Sequence, residues 1–261
     1  MSTKQTVLHM DLETAPLFAA VWGAHDQYVR PEALEHDTFM LSWAALWDHQ
    51  KQVKSQVLTS SQAREQDDSA IVPGIAELVR QADKVVAHNA SRFDMKVLNS
   101  RLLQLQEEPL GPVDVIDTLT LARRSFRLAS NSLDYIAHLL GLQTKQKHEG
   151  LELWRKCYVG DAAALKKMVS YNRQDVRVLK DVFHALRPYV KGLGRMVDAD
   201  YEGERVCSHC GEETLQRRGF YRTNASTFRQ YHCQNGSCRK WDRGRKPISE
   251  KKLSTVPITT R

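Results

Sequence analysis

The chain predicts an α/β fold: a mixed five-stranded sheet flanked by helices, followed by a small C-terminal β module stapled through cysteines. Three observations carry this. Three strand-like runs come first in an apparent meander, and strands then alternate with segments of helical apolar spacing. Four of the five cysteines lie beyond residue 206, in a polar, strand-like stretch with too little apolar content for a core of its own. At 261 residues the chain has room for one large domain and one small one. The expected layout is a domain over 1–191, a linker over 192–204 with three glycines and several charges, and a basic module over 205–261.

Each element has a local reason. Thr6 to Met10 alternates polar and apolar, then runs into Asp-Leu-Glu, a strand whose C-terminal end carries the first acids. Phe39 to Trp47 and Gln52 to Leu58 read as the next two strands, with Asp48-His49-Gln50 as their hairpin connection. Pro73 opens a helix through Val79. Lys84 to His88, centred on Val-Val-Ala, is a short buried strand. From Phe93 to Leu105, residues Val97, Leu98, Leu102, Leu103 and Leu105 recur at helical spacing. Val113 to Ile116 is the fifth strand. Ser130 or Asn131 caps a helix through Leu140, which Gly141 ends. Asp161 caps a long helix reaching to about Leu186, ahead of Pro188.

Charge is unevenly spread. From Glu202 onward there are 13 Lys/Arg and 6 Asp/Glu, a balance of +7, so residues 1–201 carry 25 of each sign and sum to zero. A polyanionic partner for the tail, nucleic acid above all, is the functional expectation, and a solubilising face is the plain one. No apolar run reaches the length of a membrane span. The N-terminus lacks the apolar stretch of a secretory signal, so the default location is cytoplasmic. Cysteines in such a chain favour metal over disulfides. Cys157, alone in a helical region, reads as a buried small hydrophobe.

The acids carry the chemistry. Asp11 and Glu13 are two apart on one strand and share a face. Asp94 follows a short buried strand, at the C-terminal mouth where open sheets place functional groups. Tyr171 and Asp175 are four apart on a helix and also share a face. Four carboxylates at one point require divalent cations, and hard cations with open positions point to phosphoryl chemistry. Taken singly, each acid is equally a solvated strand or helix end.

The order of strands and helices matches a ribonuclease-H-like fold, and within it the motifs resemble the DEDD-type 3′–5′ exonucleases of the tyrosine subclass over roughly residues 5–190. Asp-Leu-Glu-Thr matches the first exonuclease motif, Asn89 through Phe93-Asp94 the second, and Tyr171-x-x-x-Asp175 the third. Asn89 stands five positions before Asp94, one more than in Klenow-type proofreading domains, as in other polymerase-associated and phage-type members. Leu41-Ser42-Trp43-Ala44, Ile116-Asp117-Thr118, Ser130 through Tyr135, and Leu153-Trp154 are similar to a stand-alone phage and bacterial group, and no polymerase domain follows here. The resemblance implies that Asp11, Glu13, Asp94 and Asp175 hold two Mg²⁺ or Mn²⁺ ions about 4 Å apart for hydrolysis of a phosphodiester. It implies that Tyr171 orients the attacking water, because a phenol of pKa about 10 is a poor base at pH 7. His88 and Asn89 would contact the terminal nucleotide or brace the site, Phe93 would wedge a base or pack, and Asp117, a tempting fifth acid at another strand end, is read as structural or as a support behind the metal ligands. The implied substrate is single-stranded or frayed DNA. A 3′–5′ exoribonuclease in RNA processing and a non-catalytic nucleic-acid-binding adaptor are the rivals.

In the tail, Cys207-Ser-His-Cys210 forms one knuckle and Cys233-Gln-Asn-Gly-Ser-Cys238 the other, with two extra residues between the second pair of thiols. Two thiolate pairs suit one tetrahedral Zn²⁺ and resemble a zinc ribbon. His209 and His232 are adjacent, but four cysteines already close the site. Arg217, Arg218, Arg222, Arg229, Lys240 and Trp241 interleave cations with aromatics, as phosphate contact and base stacking require. The alternative is a basic face on a protein-docking module.

Overall fold

The computed structural model describes residues 6–23, 25, 28–111, 113–142, 150–190, 207, 214–222, 226–244 and 248–250. They fall in two compact units, Thr6–Tyr189 and the described part of Val190–Arg261. The linker expected over 192–204 lies outside the described residues.

The larger unit is a sheet with helices on both faces. Its strands are β1 (Val7–Thr14), β4 (Met40–Trp47), β5 (Lys54–Val57), β6 (Lys84–Ala87) and β7 (Asp114–Asp117), with β2 (Phe18–Ala19) and β3 (Leu34–His36) forming a separate short ribbon. The order is β5-β4-β1-β6-β7. β4 runs antiparallel to β1 and β5, whereas β1, β6 and β7 are parallel. The five strands expected from sequence are these five. The ribbon was not expected, since strands of two or three residues leave no alternation to read.

The helices are α1 (Ser60–Glu65), α2 (Val72–Arg80), α3 (Asp94–Gln104), α4 (Thr118–Ser125), α5 (Leu133–Leu139), α6 (Leu151–Tyr158) and α7 (Ala162–Leu186). α1 has one buried residue, Ala63, and stands on a capping box between Thr59 and Gln62 rather than on an apolar stripe. α4 is started by Asp117, whose side chain accepts from the Leu119 and Thr120 amides. The cap of α5 is Ser132, which accepts from Tyr135 N, and not Ser130 or Asn131; the Ser130 hydroxyl instead receives Ser132 N in the preceding turn. On α3, Leu98 and Leu102 face the core while Leu103 is 80% exposed, so the apolar stripe is narrower than the sequence indicates. Among the described residues no helix is long and apolar enough to cross a membrane.

β4 explains the architecture. All eight of its residues are buried, the pattern of a strand covered on both faces. Leu41, Trp43, Ala45 and Trp47 join the main core with Ile71, Ile75 and Leu98. Ala44 and Leu46 pack on the other face with Val53 and with Val176 of α7. β1 divides the same way: Leu8, Met10 and Leu12 are core, while His9, Asp11 and Glu13 take the face beneath α7. His9 meets Phe183 edge-on at 5.5 Å. Asp48, in the turn after β4, has one carboxylate oxygen 3.0 Å from His9 Nε2 and 2.6 Å from His184 Nε2. Those hydrogen bonds hold the Asp48 carboxyl far below the usual range, and burial lowers the pKa of His9. This clasp and Lys180, which donates to Gln50 O at 3.2 Å, tie the C-terminal half of α7 to the sheet.

A second polar device locks the opposite face. Arg101 of α3 makes a forked pair with Asp68, at 2.7 and 2.8 Å, and donates to Thr38 O at 3.2 Å. Asp68, fully buried, also accepts from Met40 N at 2.8 Å. The pair therefore joins α3, the start of β4 and the segment before α2.

The smaller unit is an antiparallel sheet around β9 (Ser226–Cys233), paired with β8 (Leu215–Arg222), β10 (Trp241–Arg243) and β11 (Ser249–Glu250).

Removing one member of a buried ion pair strands the other. Arg101→Ala is expected to lower unfolding free energy by about 3–5 kcal/mol, measured by urea denaturation; a loss below about 1 kcal/mol would show that the pair does not hold these elements.

Candidate metal centre and cleft

Asp11 and Glu13 project from β1 opposite Ala44 and Ser42 of β4, and Asp175 comes down from the buried side of α7. One carboxylate oxygen from each of Asp11, Glu13 and Asp175 lies within 4.8 Å of the others. At that separation two negative charges repel by roughly 3 kcal/mol per pair with an effective dielectric near 20. An all-oxygen, all-anionic donor set fits Mg²⁺ or Mn²⁺ and suits softer metals poorly.

Asp94 stands beside this group, outside the set of three. It opens α3, is 1% exposed, and its Oδ1 accepts from Leu12 N at 3.2 Å, so it is bonded to the strand residue between Asp11 and Glu13. Burial pushes the Asp94 carboxyl up to about 7, the Asp117 charge adds to that, and backbone hydrogen bonds oppose it. A cation next to Asp94 would reverse the shift.

Tyr171 lies one turn before Asp175 on α7, 5% exposed, with its ring edge-on to Trp154 at 6.4 Å. Asn172, next to it, is fully buried and donates from Nδ2 to Asp11 Oδ2 at 2.6 Å. The sequence reading passed over Asn172. The available signal was its place three residues before Asp175, on the same helical face, in a helix interior that asparagine disfavours.

The turn between β6 and α3 is held by Asp117, whose carboxylate accepts from Asn89 N at 3.0 Å and Ser91 N at 3.3 Å as well as capping α4. The structural role expected for Asp117 is the one it has. Asn89 adopts φ +70°, a left-handed conformation asparagine tolerates better than most residues. His88 Nδ1 lies 2.9 Å from Thr118 Oγ1. Phe93 is 38% exposed just ahead of α3. Asp11, Asp175, His88 and Asn89 line a cleft of about 650 Å³, whose other wall is Leu119, Arg123 and the run Ala129–Asp134. The buried Oδ1 of Asn131 has no hydrogen-bond partner among the described residues.

In the smaller unit, the sulfurs of Cys207, Cys233 and Cys238 lie within 4.8 Å of one another, with Cys207 and Cys238 3.8 Å apart. Zn–S bonds of about 2.3 Å in a tetrahedron place sulfurs about 3.8 Å apart, so the Cys207–Cys238 pair has the spacing of a zinc site, with Cys233 close by. The fourth expected ligand, Cys210, lies outside the described residues, as does His209. Arg217, Arg218 and Arg222 are exposed along β8, with Phe220 and Tyr221 between them. Arg217 sits over the Phe220 ring at 5.7 Å. Arg229 is half-buried, Lys240 exposed, and Trp241 exposed beside His232. Cys157 is buried in the main core, and burial pushes its thiol up to about 12; it behaves as the small hydrophobe expected.

Among known proteins, the family described as RNase_H superfamily matches over residues 33–187, more than half the chain. No curated protein matches. Among solved structures, the family B DNA polymerase from the hyperthermophilic archaeon Pyrobaculum calidifontis is similar with a TM-score of 0.51 and 17% identity. The likeness covers 85% of this chain and 31% of the polymerase, so this chain corresponds to under a third of that protein. At that identity the likeness carries the fold.

Proposed function

This chain belongs to the RNase_H superfamily, and within it we propose a metal-dependent 3′–5′ exonuclease that hydrolyses phosphodiester bonds at the end of a nucleic-acid strand, DNA in preference to RNA. The observation that carries the reading is the convergence of Asp11, Glu13 and Asp175, of which Asp11 and Asp175 line a cleft of about 650 Å³, a volume that suits one small group such as a terminal nucleotide. The preference for DNA rests on the motif resemblance.

Asp11, Glu13, Asp94 and Asp175 are the ligands we assign to two Mg²⁺ or Mn²⁺ ions, which when bound would lower the pKa of the attacking water and stabilise the leaving 3′ oxygen. The chain's own residues supply position. Tyr171, its ring held by Trp154, orients the water through its hydroxyl rather than removing its proton. His88 and Asn89 sit at the cleft to meet the terminal nucleotide. Arg123 adds a cation on the opposite wall.

The 205–261 module, in this reading, is a zinc ribbon whose Cys207, Cys210, Cys233 and Cys238 hold one Zn²⁺. Its arginines and exposed rings give a surface for a single strand, combining phosphate contacts with stacking. The neutral balance of residues 1–201 leaves the long-range attraction to this module.

A 5′-labelled DNA strand should shorten from its 3′ end with Mn²⁺ or Mg²⁺ and stay intact in EDTA, and Asp11→Ala or Asp175→Ala should abolish the reaction with an unchanged circular-dichroism spectrum. Wild-type rates in either variant would refute the assignment; faster digestion of matched RNA would make the enzyme an exoribonuclease. Tyr171→Phe should reduce kcat by about 10²-fold or more with little change in KM, and an unchanged kcat would remove the tyrosine from the reaction. Deleting residues 202–261 should weaken binding to single-stranded DNA and flatten its dependence on salt. Unchanged affinity and slope would make the module a protein-docking unit.

A further inference from the structure

Asn172 is the one fully buried amide side chain among the described residues of α7. Its position is costly on two counts: asparagine is a poor helix former, and a buried amide must recover its lost hydration. It does so through three contacts with two strands, β1 and β4. Nδ2 donates to Asp11 Oδ2 at 2.6 Å and to the Asp11 main-chain oxygen at 3.2 Å. Oδ1 accepts from Ser42 Oγ at 3.4 Å. The orientation of the amide follows from its partners, because both oxygens of Asp11 are acceptors there and only the Ser42 hydroxyl has a proton to give.

Building on the metal-dependent reading above, we propose that Asn172 is a positioning residue that sets the Asp11 carboxylate for cation binding. A side-chain rotation of Asp11 would break the shortest of the three contacts. One oxygen of Asp11 is thereby held toward α7, which fixes the orientation of the carboxylate beside Glu13 and Asp175. The choice of an amide has a physical reason. A neutral donor stabilises the ionised carboxylate without bringing a positive charge, whereas Lys or Arg at 172 would compete with the cation for Asp11. Asn172 and Asp175 are three apart on α7, so one helix supplies a ligand and also orients the facing ligand on β1. Partners of this kind, one shell behind the metal, change affinity by about 10- to 100-fold.

The test is Mn²⁺ binding to the full chain without substrate, followed by electron paramagnetic resonance and calorimetry, for the wild type, Asp11→Ala and Asn172→Ala. The wild type should bind Mn²⁺ and Asp11→Ala should lose a site. Asn172→Ala should bind about tenfold more weakly while circular dichroism in chelator shows it folded. Affinity within twofold of wild type, in a folded Asn172→Ala, overturns the inference and leaves the exonuclease reading standing. A wild type that binds no Mn²⁺ overturns both. Should the alanine variant fail to fold, Asn172→Ser, one atom too short to reach Asp11 Oδ2, is measured against the same two limits.

Discussion

Mutual repulsion among Asp11, Glu13 and Asp175, with ligand oxygens inside 4.8 Å, is the constraint that the larger unit is built to withstand. Two of these acids leave β1 on one face, and the third comes down from α7. They stay together because α7 cannot lift away. Val176 packs onto Ala44 and Leu46, Phe183 meets His9, and Asp48 clasps His9 and His184 at the far end of the helix. Apolar burial supplies the attraction, and the polar clasp limits sliding along the helix axis. Asn172 adds a direct tie between α7 and Asp11, inside the acid group itself.

Asp94 shows the same economy from the other side. A carboxyl this buried is protonated more readily than an exposed one, so it can stand near other acids without adding a full charge until a cation arrives. Its bond to Leu12 N joins the start of α3 to β1. Behind it, Asp117 holds the Asn89–Ser91 backbone, and the Asp68–Arg101 pair anchors α3 against β4. The chain thus uses its acids differently: three as a convergent donor set, one as a buried neighbour, and Asp68 and Asp117 as structural acceptors. The smaller unit follows opposite chemistry, with three soft thiols within 4.8 Å of one another and cations on its outer strand.

Much of this was legible residue by residue. The five sheet strands follow from apolar runs long enough to show their period, and α7 from a capping Asp161 and a sustained stripe. The pairings Asp11 with Glu13 and Tyr171 with Asp175 follow from strand and helix periodicity alone. Short elements escaped: β2 and β3 have no pattern, and α1 rests on a cap. The cap of α5 was misplaced because three adjacent residues, Ser130, Asn131 and Ser132, all carry suitable side chains and only backbone geometry chooses among them.

The sequence by itself determined which residues carry charge and which face of their own element each occupies, since both depend on identity and local period. Whether faces from different elements meet is not a local property. That Asp94 hydrogen-bonds Leu12 N beside the three acids, that Asn172 reaches across to Asp11, and that Cys207 approaches Cys238 from 31 residues away were decided only in the tertiary structure. The reason is physical: packing of α7 and α3 on the sheet sets distances to a few tenths of an ångström, and hydrogen bonding, metal ligation and charge repulsion all depend on that scale.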